Sequence, residues 1–126
     1  MLITIITVCY NSEKTIGKTL HSIDRQSFKG YEHIIIDGKS TDRTLEIISR
    51  GSSENRVVRS EPDNGLYDAM NKGINLAQGE LIGMINSDDW YEPDAVETMV
   101  NSFIENPTIN FFHADRYDII SDTKKK

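Results

Sequence analysis

Apolar and polar positions fall into two alternating textures along this chain. Runs of strand length occur at Leu2-Ile3-Thr4-Ile5-Ile6-Thr7-Val8, Glu32-His33-Ile34-Ile35-Ile36, Arg56-Val57-Val58, Leu81-Ile82-Gly83-Met84-Ile85 and Ile109-Asn110-Phe111-Phe112. Three of them are near-continuous rather than alternating, as expected of strands covered on both faces in a parallel sheet. Between the runs, apolar residues recur at helical spacing. Ser12 is placed to cap a helix carrying Ile16, Leu20 and Ile23, and Thr41 or Asp42 one carrying Leu45, Ile47 and Ile48. The stretch from Leu66 to Ala77 carries Leu66, Met70, Ile74 and Ala77, with Gly79 placed to end it. Pro93 suits the first turn of a helix carrying Val96, Met99, Val100 and Phe103, which Asn106-Pro107 stops. Strand and helix alternating four times predicts right-handed crossovers and an α/β fold, a doubly wound and mainly parallel sheet flanked by helices. No repeat, low-complexity segment or linker interrupts the pattern, so residues 1–126 read as one domain, long enough to bury a core.

Charge narrows the choice of partner. With 14 basic and 20 acidic residues and a formal charge of -6, the chain is a poor match for a nucleic-acid backbone, which needs clustered Lys and Arg. The one basic cluster, Lys124 to Lys126, reads as a solvated tail. A single cysteine, Cys9, excludes an internal disulfide and suits a reducing, cytoplasmic compartment. Cys9 follows an apolar run and is better read as a small buried thiol than as a nucleophile. The Leu2 to Val8 run lacks the flanks of a secretory signal, and no run approaches the ~20 apolar residues that span a bilayer. The expectation is a soluble protein, which is compatible with work at the inner face of a membrane.

In open parallel α/β sheets, ligands bind beyond the carboxyl ends of the strands. The residues following each run are Cys9-Tyr10-Asn11, Asp37-Gly38-Lys39-Ser40-Thr41-Asp42, Glu61-Pro62-Asp63-Asn64-Gly65, Asn86-Ser87-Asp88-Asp89 and His113-Ala114-Asp115. Carboxylates, amides and glycines thus share one edge, although polar loops are expected in any case. Adjacent Asp88 and Asp89 repel each other unless a cation sits there, and a hard divalent ion takes such oxygen ligands together with waters and substrate phosphates. An exposed turn before Trp90-Tyr91-Glu92-Pro93 accounts for the same residues. Asp37 at a strand end can accept from the N–H of a uracil-like base or from a ribose hydroxyl, with Gly38 permitting a close approach. A helix-capping turn is the plain alternative. Lys72 and Asn71 either stand near a diphosphate or belong to a surface helix, where Asp68 and Lys72 pair four residues apart. His21, His33 and His113 show no metal-ligand spacing. His33 reads as a packed strand histidine, and His113 as an edge residue within reach of a substrate. No GxGxxG or GxxxxGK[ST] loop is present, which argues against dinucleotide enzymes and P-loop nucleotidases.

Taken in order, five blocks resemble inverting family-two glycosyltransferases. They are Ile5-Ile6-Thr7-Val8-Cys9-Tyr10-Asn11, Ile34-Ile35-Ile36-Asp37-Gly38-Lys39-Ser40-Thr41-Asp42-Arg43-Thr44, the segment from Ser60-Glu61-Pro62-Asp63-Asn64-Gly65 to Asn71-Lys72-Gly73, Leu76-Ala77-Gln78-Gly79-Glu80, and Ile85-Asn86-Ser87-Asp88-Asp89-Trp90. The third block is especially similar to members that build bacterial surface polysaccharides. The resemblance implies a GT-A type nucleotide-binding fold in which Thr7, Val8, Tyr10 and Asn11 line the nucleotide pocket, Asp37 with Gly38 holds the base and Lys72 lies near the diphosphate. It further implies that Asn86-Ser87-Asp88 stands as the Asp-x-Asp motif, with Asp88 the ligand of a divalent cation (Mg2+ or Mn2+) and Asp89 beside it. Asn86 replaces an aspartate there, so its amide can bond a ribose but brings no charge.

The implied reaction moves a sugar from a nucleotide-diphosphate sugar, of UDP type in the first instance, to a sugar or lipid-linked acceptor, with inversion. Members place the general base well downstream of the Asp-x-Asp motif. Only 37 residues follow Asp89, so the expectation is a nucleotide-sugar-binding half without its acceptor half. No catalytic base is assigned to this chain, Asp115 included. A face left open where such a half docks also favours self-association. Two rivals stand beside this reading. One is a sugar-nucleotide-binding module that needs a partner for turnover. The other, a phosphoacceptor signalling domain, fails because the acidic pair follows the fourth run rather than the first.

Overall fold

The computed structural model describes residues 3–51, 55–106 and 108, and the backbone of 118–120 and 123–125. Strands β1 (Ile3–Cys9), β2 (Tyr31–Asp37), β3 (Arg56–Ser60) and β4 (Leu81–Asn86) run parallel in the order β3-β2-β1-β4. Helices α1 (Ile16–Asp24), α2 (Thr44–Arg50) and α3 (Leu66–Leu76) are the crossovers, and α4 (Ala95–Glu105) follows β4.

Every residue of β1 and β2 is buried, which is why these runs carry no polar alternation. Successive side chains still point to opposite faces. Ile3 and Ile5 pack with Ile23 of α1 and with Val96 and Val100 of α4. Cys9 and Ile35 pack with Ile16 and Leu20 of α1 and Ile48 of α2. On the other face, Ile6, Val8, Ile34 and Ile36 pack with Ala69 of α3. Three helices thus cover one face and α3 the other, a doubly wound sheet.

Buried polar residues in these strands are paired. On the α3 face, Thr4 Oγ1 donates to Glu32 Oε2 at 2.5 Å, which also accepts the N–H of Gln78 at 2.7 Å. The N–H of Gly79 returns to Thr4 Oγ1 at 2.9 Å. This clamp lays the entry of β4 against β1. Gly79 permits it, since a Cβ there would stand 2.6 Å from the backbone nitrogen of Thr4. On the opposite face, His33 is packed as expected, bonded to Thr7 and Arg56.

Ser12 differs from its expected role. Its carbonyl, not its hydroxyl, receives the N–H groups of Thr15 and Ile16 at the start of α1. Arg43, not Thr41 or Asp42, holds the N-cap position of α2, while Asp42 just before it accepts from the N–H and hydroxyl of Thr44 at 2.9 and 2.5 Å. The strand expected at 109–112 lies outside the described residues, as do His113 and Asp115. Where a solvated tail is expected at Lys124 to Lys126, the backbone of β6 (Thr123–Lys125) pairs antiparallel with β5 (Asp118–Ile120). A lysine run carries no apolar alternation to signal such a hairpin.

Candidate functional site

The direction of winding reverses at β1. The chain moves outward from β1 to β2 and β3, then returns through α3 to place β4 on the far side of β1. A crevice is expected at the carboxyl ends of β1 and β4. There the structure holds an open cleft of about 700 Å³.

Four loops build it. The β1–α1 loop contributes its run from Tyr10 to Thr15, the β2–α2 turn contributes Asp42, the loop before α3 contributes Asp63 and Gly65, and the end of β4 contributes Asn86, Ser87 and Asp88. Asn11, at a positive φ of 48°, stitches the first loop to the β2–α2 turn. Its Oδ1 accepts the N–H groups of Thr41 at 2.8 Å and Asp42 at 3.3 Å, while its own N–H reaches Ser40 Oγ at 2.8 Å. Asparagine tolerates this left-handed backbone better than most residues.

The acidic loop is held from below by α1. Buried Thr19 donates to the carbonyls of Ser87 and Asp89 at 3.0 and 2.5 Å. Ser22 Oγ accepts the N–H of Tyr91 at 3.1 Å. Buried Gln26 donates to the carbonyl of Glu92 at 2.7 Å and accepts the N–H of Val96 at 2.9 Å. Ser12 Oγ meets Ser87 Oγ at 2.8 Å. Sequence reading missed this support, although Thr19, Ser22 and Gln26 form a polar stripe at helical spacing beside the apolar one.

Of the residues expected at the site, Val8, Tyr10, Asn11, Asn86, Ser87 and Asp88 line the cleft. Four others, with Asp89, do not. Thr7 is fully buried beneath it, 2.8 Å from His33 Nε2. Asp37 is fully buried too, its oxygens engaged by Ser40 N (2.9 Å), Ser40 Oγ (2.5 Å), Ser60 Oγ (2.8 Å) and the Cys9 thiol (3.4 Å). Gly38 lies behind Asp63 and Tyr10. The Lys72 ammonium bonds the Pro62 carbonyl at 3.0 Å and stands 3.2 Å from Glu61 and 3.5 Å from Asp68, the surface pairing its spacing allowed. Asp89 lies outside the lining, and its charge acts on Tyr91. Burial first, and Asp89 second, push the Tyr91 phenol up to about 12.

Cys9 is buried at the cleft floor, and burial followed by the Asp37 carboxylate raises its pKa far above the ordinary thiol range. It is an inert thiol rather than a nucleophile. Unforeseen lining residues are Glu13, Lys14, Asp63 and Leu66, the last half-exposed rather than in the core. The lining thus carries four carboxylates, Glu13, Asp42, Asp63 and Asp88, against one cation, Lys14. Among the described residues, no three His, Cys, Asp or Glu side chains gather into a metal cage. No helix among them is long and apolar enough to cross a membrane.

Comparison with known proteins fits this geometry. A family model described as Glycosyl transferase family 2 matches residues 4–126. Glycosyltransferase GlyA of Streptococcus pneumoniae is 37% identical over 105 residues, covering 82% of this chain and 15% of its own length. Chondroitin synthase of Pasteurella multocida is 36% identical over 110 residues, 86% of this chain and 11% of its own. Among solved structures, S. aureus TarS 1–349 in complex with UDP-GlcNAc superposes with a TM-score of 0.81 at 28% identity, over 85% of this chain and 32% of that one. The chain therefore spans a third or less of these three proteins.

Proposed function

The chain belongs to glycosyl transferase family 2, and from that premise we propose that its cleft binds the nucleoside-diphosphate end of a sugar donor together with a divalent cation. The single observation that carries the proposal is Asp88, presented on the wall of a cleft of about 700 Å³ at the switch point of the sheet. Charge supports it. A lining with four carboxylates and one lysine repels a diphosphate unless a cation enters with it.

The donor chemistry fits such an ion. Asp88 and Asn86 offer hard oxygen atoms, which suit Mg2+ or Mn2+ and not a soft metal. Magnesium-like ions are held by one or two carboxylates plus substrate phosphates and water, so a single lining carboxylate suffices. When bound, the cation supplies positive charge at the phosphates as the diphosphate leaves. The chain's own residues do the rest. The wall from Ser12 to Thr15 is the N-terminal end of α1, which favours anions. Tyr10, more than half exposed, offers a ring face to the base. Thr19 and Ser12 fix the loop that carries Asp88.

Transfer then proceeds by attack of an acceptor hydroxyl on the anomeric carbon from the face opposite the diphosphate, with inversion. The nucleoside diphosphate leaves, and the hydroxyl proton passes to a general base not assigned among the described residues. The acceptor belongs to cell-surface polysaccharide synthesis, a role supported by the kinship with chondroitin synthase. Ligand-induced stabilisation is the direct test. With Mn2+ present, UDP or UDP-GlcNAc at a hundred times its Kd adds about 2.7 kcal/mol and raises the melting temperature. An unchanged melting temperature with saturating nucleotide and metal would sink the proposal.

A further inference from the structure

The pocket has a free carboxylate oxygen where the sequence pointed to a different residue. Asp37 is closed off, fully buried with both oxygens taken by Ser40, Ser60 and Cys9. Asp42 is committed to Thr44 and to the N–H of Glu13 at 3.2 Å. Glu13 accepts the N–H of Arg43 at 3.1 Å through Oε2 alone. Asp63 likewise has one oxygen engaged, but against Gly38 and the Tyr10 ring it is Asp63 that stands. Its Oδ1 accepts the N–H of Gly65 at 3.0 Å, which fixes the side chain at the entry to α3. Among the described residues no donor meets its Oδ2.

Gly38 makes the room for that oxygen. A Cβ at position 38 would stand 2.8 Å from Asp63 Oδ2 and 3.4 Å from Tyr10 Cδ1. The missing side chain therefore lets the Asp63 carboxylate lean over the end of β2 and lie beside the Tyr10 ring. Both Asp63 and Tyr10 line the cleft.

On the premise that the cleft is a donor site, we propose that Asp63 reads the base, accepting the imide N–H of a uracil or thymine that rests against Tyr10. One free acceptor oxygen matches the single N–H on the pairing edge of these bases. Cytosine presents a lone pair at the same ring position, which faces the carboxylate with like charge and no proton. Guanine presents adjacent donors that call for two free oxygens, and Oδ1 is already bonded to Gly65. Asp37 then acts at one remove, holding the turn on which Gly38 sits.

The test compares UDP with CDP, each titrated with Mn2+ into the full chain, into Asp63→Ser and into Gly38→Ala. Serine keeps a hydroxyl to receive the Gly65 N–H but removes Oδ2. The alanine methyl leaves Asp63 intact and displaces its carboxylate, the mobile end of a side chain. The parent is expected to prefer UDP by about tenfold or more, the scale of a hydrogen bond to a charged group. Both variants are expected to lose most of that preference through weaker UDP binding. Metal-dependent UDP binding with the same UDP-to-CDP ratio in both variants would overturn the role of Asp63 and leave the donor site standing. Failure of the parent to bind UDP with metal would remove the donor site, and the base reader with it.

Discussion

Lowering the pH from 7 to 5 costs this fold about 2 kcal/mol through one side chain, His33. The ring is fully buried on β2, between Thr7 of β1 and Arg56 of β3. Arg56 Nε donates to its Nδ1 at 3.1 Å, so the ring proton sits on Nε2, facing Thr7 Oγ1 at 2.8 Å. A second proton would have to enter on Nδ1 against the guanidinium, which is itself held by Asp24 at 2.6 Å and by the Gly51 carbonyl at 2.6 Å. Burial first, and Arg56 second, lower the His33 pKa to about 3, against 6.5 for an unfolded histidine. Between these values the unfolded chain binds a proton that the native chain refuses. Stability from His33 is therefore complete above the unfolded value and is lost as pH falls through the window from 6.5 to about 3.

At pH 5 the unfolded histidine is almost fully protonated and the native one is not, which gives the figure of about 2 kcal/mol at 1.36 kcal/mol per pKa unit. Urea unfolding followed by circular dichroism at both pH values measures the loss in the parent and in His33→Gln, whose amide can meet both Thr7 and Arg56 without titrating. The parent is expected to lose about 2 kcal/mol more than the variant. Equal losses would refute the reasoning. So would a His33 ring resonance that titrates above pH 5 in the native protein, a reading that does not depend on the variant folding.

Other consequences follow from the packing and the loop supports. Gly79→Ala forces a methyl to within 2.6 Å of the Thr4 backbone and 2.7 Å of Ile3, so thermal unfolding should report a loss of about 1–3 kcal/mol or no folded protein. Thr19→Val strips the carbonyls of Ser87 and Asp89 of their shared donor, lowering stability by about 1–2 kcal/mol and weakening nucleotide binding with metal, both readable by calorimetry. Lys72→Met leaves nucleotide affinity within about twofold, because the ammonium faces Pro62, Glu61 and Asp68 rather than the cleft; a tenfold loss would place it at the phosphates after all. Cys9 resists thiol reagents at pH 8 in the native protein and reacts on unfolding, since burial and Asp37 keep it protonated.

The strands and their order of use were legible because β1 and β2 are apolar on both faces and each run is followed by polar residues. Four runs became the sheet, and the cleft formed at their carboxyl ends, where Tyr10, Asn11 and Asp88 meet. What stayed hidden was which polar groups satisfy one another. Asp37 looked open because a carboxylate after a strand is usually solvated, yet Ser40, Ser60 and Cys9 enclose it. Ser40 lies three residues on, but Ser60 and Cys9 come from neighbouring strands, and spacing along one segment carries no trace of them. Lys72 could face either way on its helix, and Glu61 and the Pro62 carbonyl, in the loop before α3, decided the direction. Asp63 gained its place from a missing side chain at Gly38, a relation visible only once β2 and the loop after β3 lie side by side.

The central claim is that Asp88 and a divalent cation together create a nucleotide site in this cleft. Isothermal calorimetry of UDP into the protein with Mn2+, with chelator, and into Asp88→Ala tests it in one series. The account predicts saturable binding to the parent with metal, lost on chelation and lost in Asp88→Ala. UDP binding that persists unchanged without metal or without the Asp88 carboxylate would contradict it.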